Sequence, residues 1–205
     1  MNEGAIMSKR EQVGKYVYKQ ITMLTAEKDY SSGKARLANL RRGAGKVPGE
    51  LPELWGAFLN NIPDELLGKN GTPSRAEWAI YLALTLFALH QQGNSESVNA
   101  ENISLGKAAA GLMEKPNDDD ERERVMRRLG PVVTANDMPE LSHHLRCLIQ
   151  LMGSKGVKLD YCKLAEDLYD YQFDETRKEV RLRWGQDFYY DKKDEKERND
   201  HEHFC

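Results

Sequence analysis

Apolar residues recur every three or four positions along most of this chain, a spacing that predicts a succession of amphipathic helices. In residues 8–28, Val13, Tyr16, Val17, Gln20, Ile21 and Leu24 keep to one face. A short helix follows over about 34–42, with Leu37 and Leu40 inward and Gly43 as its stop. Residues 43–49 (GAGKVPG) read as a loop, and Pro52 suits a first helical position before Leu54, Trp55, Phe58 and Leu59, which the spacing buries. The most apolar element runs from Ser74 to about Gln91; Ser74 and Glu77 fit a capping box, and the helix leaves almost no polar face. Such a helix belongs at the centre of a bundle.

The second half repeats the style with different punctuation. Residues 93–102 form a polar connection, and Ser104 caps a helix carrying Leu105, Ala108, Leu112 and Met113. Pro116 to Asp120 reads as a boundary. Asp118–Asp120 then open a helix that ends in Arg127 and Arg128, with Gly130 and Pro131 expected to stop it. Asp137, Pro139 and Glu140 start the next, whose stripe of Leu141, Leu145, Leu148, Ile149 and Met152 should close at Gly153. Asp160 caps a helix with Leu164 and Leu168, and a last one spans about Glu175 to Tyr190 with Val180, Trp184 and Phe188 inward. The expectation is an all-α chain of two small helical bundles in tandem, residues 1–116 and 117–190, followed by a charged, frayed tail, 191–205.

Composition supports helices over sheets. Leu and Ala number 39 against 15 Val and Ile, and β-branched residues are the strand formers. Three cysteines form no even framework and no CxxC pair, so a reducing cytoplasm is the expected setting. No stretch reaches the ~18–20 apolar residues of a membrane span, and the first ten residues have no signal-peptide core. Net charge is −3, which excludes a simple polycation: any contact with nucleic acid needs charges gathered locally.

Catalytic patterns are missing from the sequence: there is no GxxxxGK[ST], GxSxG or HExxH. Cys147 reads as a small buried thiol. His143 and His144 point about 100° apart on a helix and cannot share a metal as an i,i+4 pair does. His201 and His203 lie in the tail, where nothing preorganises a site. No cofactor is expected, and a metal-dependent enzyme is the weakest of the readings weighed.

The basic residues carry more. Residues 31–49 hold Lys34, Arg36, Arg41, Arg42 and Lys46, four glycines and no acid, so a phosphate backbone could approach the loop unopposed. The bland alternative is a helix C-terminus whose arginines complement the dipole. A second group, Arg177, Lys178, Arg181 and Arg183, lies on the last helix, where Glu175 and Glu179 could neutralise part of it. Acid is exported to 118–123 and to residues 186–205, which hold seven Asp or Glu.

Four segments, in order, also carry a likeness: RLANLRRGAGKVPGELPELWGAF, SRAEWAIYLALTLFALHQQG, ISLGKAAAGL, and ELSHHLRCLIQLM with FDETRKEVRLRWGQDFYY. In these the chain resembles the small subunit (CasB family) of the type I-E CRISPR surveillance complex, Cascade. The resemblance implies two helical domains and a non-enzymatic subunit, paired head-to-tail with a second copy beside the other Cascade subunits. It implies contact with the backbone of the guide RNA–target DNA duplex, and with the displaced strand. By position it points to Arg41 and Arg42, Arg75, Lys107, Arg146, Arg177 and Lys178; Gly130-Pro131 departs from a more basic stretch in the family. The rival from another class is a structural adaptor that uses Trp184, Tyr189 and Tyr190 as apolar anchors while its charges only solubilise it.

Overall fold

A computed structural model describes residues 7–115 and 118–189. The boundary expected at 116–117, the tail 191–205 and its histidines, and Tyr190 lie outside them. Among the described residues the chain is all-α: α1 (Lys9–Glu27), α2 (Ser31–Arg42), α3 (Trp55–Phe58), α4 (Arg75–His90), α5 (Leu105–Ala110), α6 (Asp119–Thr134), α7 (Met138–Lys155), α8 (Tyr161–Asp170) and α9 (Asp174–Tyr189). Short 3₁₀ turns at Pro52–Leu54 and Asp64–Leu66 join them, and pairing of extended backbone is limited to isolated bridges.

α4 is the axis. Only Arg75, Trp78 and Leu89 among its residues escape full burial, and α1, α2, α7 and α8 all pack on it. Its capping box forms as the sequence predicts: the Glu77 backbone N–H donates to Ser74 Oγ at 3.0 Å, and the Glu77 carboxylate accepts from the Ser74 N–H at 2.6 Å. Buried side chains from α1, α4, α7, α8 and α9 belong to one hydrophobic cluster. Helices on either side of the expected boundary thus share a core, because α8 packs against both α1 and α4.

Two stop signals are overridden. α6 runs through Pro131 to Thr134. An internal proline costs about 3 kcal/mol in an exposed helix, but here Leu129 and Val132 are buried on the core, and Thr134 Oγ1 donates to the Gly130 carbonyl at 3.0 Å. α7 likewise passes Gly153 and ends at Gly156, whose φ of +67° supplies the left-handed cap. Gly153 sits against the His90 ring, where a small residue packs without breaking the helix.

Two burial expectations also change. Trp55 is 50% exposed, since Leu54 and Phe58 on either side already fill the core position. Cys147 is exposed, on the outer face of α7 with Arg146 and Gln150. Trp184 is fully buried, as its inward spacing on the last helix predicts, which removes it as a surface anchor. No helix among the described residues is long and apolar enough to cross a membrane.

Candidate nucleic-acid interface

α2 ends at Arg42, and the backbone then turns tightly over α4. A methyl group at Gly43 would lie 2.5 Å from Leu54 Cδ1 and 2.7 Å from the Tyr81 hydroxyl, which donates to the Gly43 carbonyl at 3.1 Å. The loop is thereby held by its backbone and by the buried Ala44 and Pro48, while Lys46 and Val47 face solvent. Gly45 then adopts φ +85°, and the Arg146 side chain from α7 lies against it. Arg41 is half-exposed and Arg146 exposed, and neither side chain has an ion-pair or hydrogen-bonding partner among the described residues.

The loop is less free of acid than the sequence suggests. Glu50 and Glu53, just beyond the acid-free stretch, fold back: Lys46 pairs with Glu50 at 2.6 Å and Arg42 with Glu53 at 2.8 Å. Lys46 and the Val47 N–H hold the Glu50 carboxyl below its ordinary range. Such exposed pairs contribute only about 0–1 kcal/mol, so a phosphate can displace the carboxylates. Arg36 pairs with Glu27 at 2.8 Å, and Lys34 is exposed without an ion pair among the described residues.

Cys147, next to Arg146 in α7, lines a cleft of about 590 Å³ between α6 and α7, together with Leu112, Val125 and Leu151 and the charged Arg124, Arg128, Lys155, Glu114 and Glu121. The acids there are already engaged. Glu114 pairs with Lys155 at 2.7 Å, and the Glu121 carboxylate accepts from the Glu114 and Lys115 backbone N–H groups at 2.7 and 2.9 Å. Arg124 and Arg128 are exposed and make no ion pair or hydrogen bond among the described residues. In the sequence Arg128 is only a weak, isolated basic position, and Arg124 does not stand out. Arg124 and Arg128 share a row of α6 at i,i+4 spacing, next to the row of Val125 and Leu129, and α7 stands beside both.

A second cluster surrounds the turn between α8 and α9. The Arg75 guanidinium stacks 4.4 Å over the Phe173 ring, and its backbone carbonyl accepts from Gln172 at 2.9 Å. Arg177 donates to the Tyr171 carbonyl at 2.8 Å and pairs with the exposed Asp174 at 3.1 Å. Lys178 is exposed and makes no ion pair among the described residues. The structure therefore gathers Arg75 and Arg177, whose positions are 102 apart in the chain.

Arg181 and Arg183 turn into the fold. Arg181 reaches the end of α6, donating to the Ala135 carbonyl at 2.7 Å and to the Tyr171 hydroxyl at 3.1 Å. It satisfies a carbonyl at a helix C-terminus, where positive charge is favoured. Arg183 pairs at 2.7 Å with Asp167, a buried carboxylate whose other oxygen accepts from Trp184 Nε1 at 2.7 Å. Both guanidinium groups are used inside the fold. Lys107 stands apart, exposed on α5, whose opposite face meets α9 so closely that a methyl at Gly106 would fall 2.1 Å from the Trp184 carbonyl.

Among the described residues no group of three His, Cys, Asp or Glu is placed to hold a metal. Burial pushes the Cys162 thiol up to about 12.

A family model, CRISPR-associated protein Cse2, matches residues 36–189. The chain belongs to the Cse2 family. Every sequence-derived candidate except Lys34 falls within the matched stretch. The structure is similar to that of CasB from Thermobifida fusca, at 29% identity and a TM-score of 0.74, over 87% of this chain and 98% of that one. It shares its fold with a CRISPR-associated protein of the Cse2 family from Thermus thermophilus, at 20% identity and a TM-score of 0.61, over 84% of this chain and 97% of that one. No curated protein matches the chain.

Proposed function

We propose that this Cse2 protein is a non-catalytic subunit of the type I-E CRISPR surveillance complex, Cascade, and works in the cytoplasm with the other subunits and a second copy of itself. In this reading it binds nucleic-acid backbone without sequence preference and stabilises the R-loop formed by guide RNA and target DNA, including the displaced strand. The supporting observation is the run of arginines without ion pairs, Arg41, Arg146, Arg128 and Arg124, along one loop and the cleft beside it. Arginine's planar fork suits phosphate oxygens, and in RNA-guided recognition base pairing reads the sequence while protein holds the strands. Because R-loop opening is nearly balanced, a few such contacts tip it.

The test is R-loop lifetime on a matched target, in complexes rebuilt with Arg41→Ala/Arg146→Ala protein. The expected result is normal assembly, a shorter lifetime, and a shallower salt dependence, by about 0.7 per lost contact on a single strand and about 0.9 on duplex. Normal assembly with an unchanged lifetime overturns the assignment.

The adaptor reading draws on Leu182 and Tyr189, which are 62% and 60% exposed and two turns apart on α9. Salt separates the two: apolar docking holds from low to moderate salt, and phosphate binding collapses.

A further inference from the structure

Trp55 is the large aromatic that the helical spacing assigns to the core and the fold leaves half outside. Its position is fixed nonetheless. Pro52 starts the 3₁₀ turn below it, Leu54 is fully buried against Gly43, and Phe58 meets the Tyr81 ring edge-on at 5.1 Å. The indole thus stands on an anchored turn, and the next residue, Gly56, has open space where a side chain would be. Arg42 is tied to Glu53, two residues before the indole in the chain, which brings the basic end of α2 to the same short turn that carries Trp55. A half-exposed indole beside cations held only by displaceable surface pairs has the two parts of a single-strand binding site, a stacking platform and a charge track.

We propose that Trp55 stacks on an unpaired nucleobase of a strand whose phosphates run along Arg41, Arg42 and Arg146. The inference rests on the nucleic-acid reading above and adds to it: the strand at the α2–α3 edge is single, with at least one base turned towards the protein. Duplex keeps its bases stacked on each other and has none to offer. Stacking on an aromatic face is sequence-tolerant, so it is compatible with binding that ignores sequence.

The test uses the full chain, a dT dodecamer, an abasic dodecamer of the same charge, and a duplex of the same length. Wild-type protein binding the dT strand should lose indole fluorescence, and Trp55→Phe should lose most of that quenching, because the other two tryptophans are the buried Trp184 and the half-buried Trp78. Trp55→Ala should weaken dT binding about tenfold and leave abasic and duplex binding unchanged, while Trp55→Phe recovers most of the affinity. Equal losses on dT and abasic strands, or no loss on either, overturn the stacking role while leaving backbone binding intact. Loss of complex assembly with strand binding unchanged also overturns it and makes Trp55 a protein anchor. Absence of salt-dependent binding to all three probes by wild type sinks the underlying reading instead.

Discussion

Arg146 lies across Gly45, a residue 101 positions earlier, so closely that a methyl group there would stand 3.3 Å from Arg146 Cδ and 3.4 Å from Nη1. Glycine serves two purposes at this point. It tolerates φ +85°, and it leaves room for the guanidinium to rest beside the loop. Gly45→Ala is expected to lower stability by about 1 kcal/mol through the left-handed backbone, and to reduce strand binding towards the level of Arg146→Ala. Urea midpoints and a salt titration check this. Full binding by Gly45→Ala beside impaired binding by Arg146→Ala would show that the contact does not position Arg146.

Glu50 and Glu53 restrain the two cations that flank Arg41 and the loop. Removing those carboxylate charges leaves the fold intact, because both pairs are exposed. Glu50→Gln/Glu53→Gln protein should bind single strands more tightly, and with a steeper salt dependence, than wild type. Weaker binding by this variant would count against the α2–α3 edge as the site.

Asp167 is expected to matter for stability alone. Asp167→Ala strips partners from the buried Trp184 N–H and from Arg183, and should cost about 2–4 kcal/mol by denaturant unfolding. Arg183→Ala should destabilise the protein with no change in salt slope. A fall in that slope would return Arg183 to the binding surface.

His90 ties stability to pH. Its ring is buried in α4, with Nδ1 3.0 Å from the Tyr161 hydroxyl, and burial pulls its pKa from 6.5 down to about 4. Between those values the unfolded chain holds the extra proton, so stability falls as pH drops from 6.5 towards 4, by about 3 kcal/mol when complete. Burial raises Glu166 and Asp170, against the opposing pull of Arg10, so their contribution has the other sign and grows on acidification. Urea midpoints across this range should slope downward for wild type and flatten for His90→Gln; parallel curves would remove His90 as the cause.

Cys147 offers a footprint of the cleft. In a Cys205→Ser background, a maleimide should label Cys147 readily and Cys162 slowly, since the Cys162 thiol is half-buried and pushed up to about 12. Single-stranded DNA at low salt should slow the labelling of Cys147. Labelling at an unchanged rate under saturating DNA would take the cleft out of the proposed strand path.

The linear chain already determined its helices. Ser74, Ser104, Asp118, Asp137 and Asp160 all cap the helices predicted from them, and the apolar length of α4 announced its central place. These are local matters, settled by turns of 3.6 residues and by side chains three positions from the backbone they serve. Local rules failed where packing outweighed them: Pro131 and Gly153 continue their helices because neighbouring residues are buried, and Trp55 is turned out because Leu54 and Phe58 occupy the core. Which arginines stay available to a phosphate was decided by the tertiary structure alone. In the sequence the acids expected to neutralise part of this basic group are Glu175 and Glu179, yet the groups that take up Arg181 and Arg183 are the Ala135 carbonyl and Asp167, brought within reach by the fold. A charge is quenched by whatever the fold brings within a few ångströms, and those partners can lie anywhere in the chain.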